Sequence, residues 1–419
     1  MSLVKLNQRR DGGAHSQDFG RHGNRMSEML IRTFKSVSRG LARAVAMLVF
    51  SFVFSGTIHA QTWSWTYELI DLPAKFPSLA ADSNSNLHIS YADSAGALKY
   101  GFRPAGSAKW FFMVLDKQLG AFTTRLTLDS SNNPHICYTP GAIKYARFDG
   151  KQWQTIQIAK DSGDIGYTCS IAIAKDGTPH LSWYQLSGPT PNYLHLRYAV
   201  LKDNAWLART LDFDNETGKW NSMVLDAHGN PLISYSAWYN GELRLAHWNG
   251  QKWEFDTADS RARSHGEYNI GEGNSLILDA EGKPHVSFYS EKALKYARLV
   301  GQDWKVETVD QFTWLGGWAH FRSAIALDKQ ARPHICYEDA GLLKHAYWDG
   351  KQWRVQVVAR NGMESLRYAT MAIDKDDKIY VAFRDPDDNT LKLATGHPSP
   401  EQQTSVSKTA DKQPAPQPQ

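Results

Sequence analysis

Long connecting segments of this chain carry aromatic residues beside acidic, amide and cationic neighbours: Tyr167, Trp220, Trp238, Tyr239, Tyr268, Trp314, Trp318, Phe321 and Tyr368, with His320 in the same stretch. Such rings stack on the apolar C–H face of a pyranose while flanking polar groups bond its hydroxyls, and Tyr and Trp combine an apolar body with a polar tip. The same rings serve a protein partner as hot spots, so the pattern points to a glycan or a protein without choosing between them. Two acidic stretches, Asp212, Asp214, Asn215 and Glu216, and Asp385, Asp387, Asp388 and Asn389, have oxygens that suit calcium, although the same composition makes simple polar turns. No cofactor is expected beyond such a structural calcium. There is no Gly-rich phosphate loop, nucleophile elbow or Cys/His zinc spacing.

The elements that hold these segments follow from a repeat. A tryptophan recurs in one local setting at Trp65, Trp110, Trp153, Trp206, Trp253, Trp304 and Trp353, and six residues later stands Asp71, Asp116, Ala159, Asp212, Asp259, Asp310 or Ala359. A period of about 40 to 50 residues with strand-like content marks a β-propeller. Between Trp304 and Trp353 the chain runs RSAIALD, PHICY, LLKHAYW and WRVQVVA, four β-branched and aromatic runs separated by Gly, Asp, Asn and Pro. Six such units span residues 76 to 359. The seventh has TMAID, IYVAF and LKLATG but no fourth strand, and the orphan strand WTYELID stands at the other end, Trp65 to Asp71. An open ring would expose unpaired backbone, so the expectation is an all-β, seven-bladed propeller over residues 62–396, each blade four antiparallel strands, with the N-terminal strand closing the last.

Repeated registers carry their own expectations. His88, His135, His180, His285 and His334 share one position of the second strand. A seven-fold repeat spreads them around a circle rather than converging them on a metal, so each is expected to pack between blades and bond neighbouring backbone or Ser. Lys99, Lys144, Arg197, Arg244, Lys295, Lys344 and Lys392 recur on the third strand and are expected to form ion pairs within their own blades. Cys137 and Cys336 hold equivalent positions in different blades, which excludes their pairing. Cys169 comes within reach of Cys137 in the neighbouring blade, yet three buried thiols is the simpler expectation.

The ends of the chain differ from the middle. Arg32, Lys35, Arg39 and Arg43 precede an apolar run, Ala44 to Phe54, and a small-residue exit at Ala60, the pattern of a secretory signal peptide over residues 1–60. Met26 makes a more ordinary start for it than Met1. Residues 397–419 are polar and proline-rich, which suggests a disordered tail. The first 60 residues hold nine Lys/Arg and three Asp/Glu, leaving 38 basic against 40 acidic residues in the rest instead of the +4 of the whole. No sustained basic patch marks a nucleic-acid partner. The expected molecule is a secreted or periplasmic monomer with no membrane span once the leader is gone.

The unit LD, turn, PHISY, turn, LKYA, turn, G-x-x-W resembles the repeats of secreted bacterial propellers grouped with the sialidase-like (BNR-type) superfamily, over residues 62–396. That resemblance implies a carbohydrate-directed propeller, in which sialidases clamp a substrate carboxylate with three arginines beside a Tyr/Glu nucleophile pair. Arg125, Arg322 and Arg367 stand at the starts of first strands, with Glu267, Tyr268 and Glu272 in a nearby connection. The Asp-boxes and the early Arg-Ile-Pro element of true sialidases are absent, and their six blades differ from seven. The expected function is therefore a non-catalytic binding module for a glycan or a protein partner, with the aromatic loops and these three arginines as its surface; the alternative is a carbohydrate-active enzyme centred on the channel mouth.

Overall fold

The computed structural model describes residues 61–400 apart from 73, 118–119, 121–122, 160–164, 187–193, 215, 262–269, 291, 313–321, 361–368 and 386. The expected signal peptide, residues 1–60, and the chain beyond residue 400 lie outside the described residues. Seven four-stranded antiparallel sheets follow one another. Blade 1 covers 74–116, blade 2 124–159, blade 3 165–212, blade 4 217–260, blade 5 272–311 and blade 6 324–360. Blade 7 combines three strands from 370–400 with the strand Gln61–Asp71, which pairs with Leu391–Pro400 so that Trp65 lies opposite Gly396. A Cβ on Gly396 would sit 3.0 Å from the Trp65 ring, so the closing tryptophan requires glycine as its partner. The expected closure by the N-terminal strand is what the structure shows.

Blades cohere through links repeated at the same registers. Nearest the axis, a first-strand hydroxyl accepts the backbone N–H of the next blade: Ser78 from Leu126 at 3.0 Å, Ser170 from Met223 at 2.9 Å, Ser222 from Leu276 at 3.1 Å, and Thr370 from Leu79 at 3.3 Å. Further out, a second-strand residue meets the residue just before that hydroxyl in the next blade. Ser90 bonds Thr124, Ser182 bonds Asn221, Ser234 bonds Asn274 and Ser287 bonds Ser323, at 2.6 to 3.0 Å. Cys137 and Cys169 hold this register between blades 2 and 3 and form a disulfide. The expectation of three free thiols is corrected: adjacent blades bring this register within bonding distance everywhere, and here both partners are cysteine. Cys336 holds the register in blade 6, where Ala369 faces it, and stays a free, buried thiol.

Outermost comes a clasp. The aspartate ending one blade's fourth strand accepts from a second-strand Tyr and a third-strand cation of the next blade: Asp116 from Tyr138 at 2.7 Å and Lys144 at 2.8 Å, Asp212 from Tyr235 at 2.7 Å and Arg244 at 3.0 Å, Asp310 from Tyr337 at 2.6 Å and Lys344 at 2.8 Å. Asp71 receives Tyr91 and Lys99 in the same way, and Lys295 approaches Asp259 at 3.4 Å. These pairs run between blades, beside the expected pairs within a blade that Arg244 makes with Glu242, Lys344 with Asp339 and Lys392 with Asp385. The strand-four aspartate points along the ring toward the next blade's third strand, so the repeat unit of the electrostatics straddles the boundary.

The histidines also differ from expectation in their partners. Nδ1 of His88, His135 and His180 meets the hydroxyl of Tyr100, Tyr145 and Tyr198 at 2.7, 2.5 and 2.6 Å, and His285 meets Tyr296. Nε2 of His88, His135, His285 and His334 faces Asp82, Asp129, Asp279 and Asp328 at 3.3 to 3.5 Å. The partners are a tyrosine and a turn aspartate of the same blade, because the second strand is paired on both sides and its imidazole reaches only across its own sheet. Each tyrosine then takes the edge of the next blade's signature tryptophan, as in Tyr100 with Trp153 at 4.9 Å and Tyr198 with Trp253 at 5.0 Å between centroids. The repeated Trp is thus a packing element between blades.

Candidate functional site

The connections from a second to a third strand and from a fourth strand to the next blade share one face. Trp238 N–H donates to Glu216 O at 3.0 Å and Arg261 N–H to Gly241 O at 3.1 Å, each a bond between these two kinds of connection. These bonds join the connections on either side of blade 4 at one face; most of the other long loops lie outside the described residues.

At that mouth, two first strands begin with the same bulged motif. Blade 4 reads Gly218-Lys219-Trp220-Asn221 and blade 5 reads Gly271-Glu272-Gly273-Asn274. The first and third residues of each have positive φ: Gly218 97°, Trp220 58°, Gly271 83° and Gly273 53°. A Cβ on Gly218 would lie 2.5 Å from Leu196 Cα, so glycine is required there. The asparagine locks the turn, Asn221 Nδ2 donating to Gly218 O at 3.0 Å and Asn274 Nδ2 to Gly271 O at 2.9 Å. Register shifts interrupt strand pairing at both places, as bulges next to functional surfaces do. The result sets Lys219 and Glu272 at equivalent points of neighbouring blades on the rim, and puts Trp220 one step inward.

Their electrostatics are coupled. Burial pushes the Glu272 carboxyl up to about 7 against the pull of the Lys219 charge. Burial lowers Lys219, with Glu272 and Glu216 holding it up. The Lys219 ammonium lies 4.6 Å from the centroid of the Trp238 ring, a cation–π contact, and Tyr239 stands edge-on to Trp238 at 5.5 Å. Tyr239 is 45% exposed. Tyr184 of blade 3 donates its hydroxyl to Glu216, whose own φ is 55°.

Below the rim the channel narrows. Trp220 is only 8% exposed, so its ring belongs to the throat. Arg322, buried at the start of blade 6, donates Nη2 to Thr123 Oγ1 of blade 2 at 3.1 Å and so bridges the ring. Arg125 takes the register used by Ser78, Ser170 and Ser222 and turns a guanidinium where they have a hydroxyl. Its pKa lies well below the ordinary arginine value, through burial and the like charge of Arg322. Arg125, Arg322, Trp220, Asn221, Asn274 and Thr168 line one narrow cleft, with no carboxylate among its described lining residues. The structure brings Arg125 and Arg322 together. Tyr167 lies on a described strand, at the rim register of Lys219 and Glu272, but its side chain lies outside the described residues, as do Glu267, Tyr268, Trp314, Trp318, His320, Phe321, Arg367 and Tyr368.

The candidate calcium carboxylates face cations. Asp212 and Asp214 engage Arg244, while Asp385 and Asp388 hold Lys392 at 2.5 and 2.9 Å. No cluster of three or more metal-ligating side chains occurs among the described residues. No described helix is long and apolar enough to cross a membrane. Sequence reasoning passed over Lys219, Tyr184, Asn221 and Asn274. The signal was the shared G-x-x-N-S of blades 4 and 5, visible once the residues before each first-strand serine are aligned.

No family model matches the chain, and no curated protein matches it. Among solved structures it is similar to a protein of unknown function from Dyadobacter fermentans, at 13% identity, covering 80% of this chain and 99% of that one, TM-score 0.48. It is similar to the six-bladed fucose-recognising lectin of Aleuria aurantia at 14% identity, covering 70% and 97%, TM-score 0.46. It is also similar to the polysaccharide lyase Uly1 at 11% identity, covering 77% and 89%, TM-score 0.47. Likeness at this level carries neither ligand nor activity across to this chain. Its own strand pairing defines the class, a seven-bladed β-propeller of four-stranded antiparallel blades.

Proposed function

We propose that this protein is a secreted binding module that holds a glycan at the channel mouth, over the rim formed by Lys219, Glu272, Trp238 and Tyr239. The observation that carries this reading is the meeting, on two rigid bulges, of an ammonium, a carboxyl near half-protonation at neutral pH, and an exposed phenol ring. Sugar hydroxyls both donate and accept, and Glu272 near pH 7 offers both roles while Lys219 donates. Tyr239 supplies a ring face for the sugar's C–H surface. Lys219 and Glu272 sit at strand termini, which fixes their geometry more firmly than loop tips would, while Trp238 and Tyr239 stand in the short turn after Ala237. The throat beneath is filled by Trp220 and Arg322, which supports a ligand lying across the mouth. The Cys137–Cys169 disulfide supports export to an oxidising compartment, in line with the signal-peptide pattern. A glycan array on the intact protein tests the reading, with loss of signal expected in Trp238→Ala/Tyr239→Ala.

One observation favours the enzymatic alternative. A carboxyl held near 7 beside a lysine is poised for general acid–base work, and Glu272 meets that description. A panel of chromogenic glycosides and polyuronates separates the readings: turnover abolished by Glu272→Gln would make the rim a catalytic centre, and binding without turnover supports the module.

A further inference from the structure

The outer clasp fails at two of the seven blade boundaries, and the failures have different outcomes. Between blades 2 and 3, Ala159 replaces the aspartate and Trp183 the tyrosine. That indole is fully buried, with the Arg197 guanidinium carbon 5.8 Å from its centroid. Between blades 6 and 7, Ala359 replaces the aspartate and Phe383 the tyrosine. Phe383 is 1% exposed and adds no bulk beyond the tyrosine ring it replaces. Lys392, the register cation, turns instead to Asp385 and Asp388 of its own blade. The clasp's carboxylate and hydroxyl are missing at this boundary, its ammonium is paired within blade 7, and a groove of about 770 Å³ lies there.

Its walls have a definite chemistry. Tyr67 of the closing strand presents a ring that is 53% exposed, its hydroxyl held by Val358 O. Phe383 and Ala359 make an apolar floor. At one side the Asp385–Lys392 pair offers carboxylate oxygens and an ammonium that compensate each other's charge, and Arg360 stands exposed at the end of blade 6's outer strand. The volume falls within the range of small-molecule sites, roughly 300 to 1,000 Å³. An aromatic wall that faces a self-neutralised donor–acceptor pair fits a ring with one apolar face and a row of hydroxyls.

We propose that the groove between blades 6 and 7 is a second ligand site, separate from the mouth, that takes one neutral sugar residue against Tyr67 and the Asp385–Lys392 pair. Five other boundaries carry the clasp and the sixth carries the buried Trp183 at that register, so with the mouth the protein carries two points of contact for a saccharide. It lies on the side of the ring, at the seam closed by the N-terminal strand.

The repeat supplies the test. Ala359→Asp restores the residue that five boundaries already carry, so the variant is expected to fold and to fill the groove. Methyl glycosides of neutral hexoses, 6-deoxyhexoses and N-acetylhexosamines, with methyl glucuronoside as the charged comparison, are titrated into the full-length secreted protein by ligand-observed NMR. The expected result is binding of a neutral glycoside that weakens about tenfold or more in Ala359→Asp and in Tyr67→Ala, and is unchanged in Trp238→Ala/Tyr239→Ala. The proposal is overturned if no neutral glycoside binds the unmodified protein, if the glucuronoside is preferred, or if Ala359→Asp and Tyr67→Ala leave binding intact. Loss of binding only in the mouth variant would overturn the groove while supporting the mouth, so the two readings fail separately.

Discussion

Cys137 and Cys169 join blade 2 to blade 3 at the register where Ser182 meets Asn221 and Ser234 meets Asn274. The disulfide is thus one chemical version of a link that the ring makes with hydrogen bonds elsewhere. Cys336 faces Ala369 at the same register, and burial pushes its thiol up to about 12. Thiol counting by mass spectrometry after maleimide labelling checks this. No label is expected on the native protein, one after unfolding, and three after unfolding with reduction. Cys137→Ser is expected to cost about 2–4 kcal/mol in denaturant unfolding.

The clasp should have a measurable strength. Asp116→Ala leaves the buried Tyr138 and the mostly buried Lys144 without their shared acceptor, and a loss of about 2–3 kcal/mol is expected in urea unfolding. Tyr138→Phe removes one hydrogen bond, about 1 kcal/mol. A double variant losing less than the sum would show that the two partners act as one unit.

Acid should loosen the ring through its histidines. Burial holds His88, His135 and His285 below the ordinary imidazole value, His345 well below it, and His180 down at about 4. The unfolded chain protonates near 6.5 and the folded one only at lower pH, so this stability is intact above pH 6.5 and falls away as pH drops toward 4. His180 alone accounts for about 3 kcal/mol at the acid end. Its turn carries Ala174 where His135 and His285 find an aspartate, which leaves it without that carboxylate contact. Melting temperature measured from pH 8 to 4 should fall most steeply below 6.5, and His180→Gln should flatten the curve.

Glu272 has the opposite sign. Its folded pKa of about 7 lies above the ordinary 4.5, so it adds no cost below pH 4.5 and a growing one as pH rises toward 7. Glu272→Gln should match the parent protein at pH 4 and exceed its stability at pH 8 by about 3 kcal/mol. A residue that costs stability at neutral pH on a rim built for presentation is the pattern of a group kept for binding or chemistry.

The propeller was legible because the fold is repeated: Trp65 to Trp353 at a near-constant spacing, with an orphan strand at one end and a three-strand unit at the other, leave few arrangements that pair every edge. Relations between blades were harder to see, since a repeat written along the chain hides that Asp116 belongs with Lys144 of the next unit. The same blindness turned Cys137 and Cys169 into separate thiols. At the site, the arginines Arg125 and Arg322 were found from their position before the first strands. Lys219 was missed because its role depends on the bulge that sets it beside Glu272, a matter of backbone geometry with no composition signal. The vacated clasp at Ala359 was written in the first pattern noticed, but its meaning needed the shape of Trp183 at the other exception for comparison.

The mouth reading is tested most directly by isothermal titration of the array-selected glycan into the intact protein and into Trp238→Ala/Tyr239→Ala at pH 7. A loss of about 2 kcal/mol or more in binding free energy, with unchanged melting temperature, is the outcome expected of a ligand seated on Lys219, Glu272, Trp238 and Tyr239. Equal affinity in the two proteins would place the glycan elsewhere and contradict the assignment of the mouth.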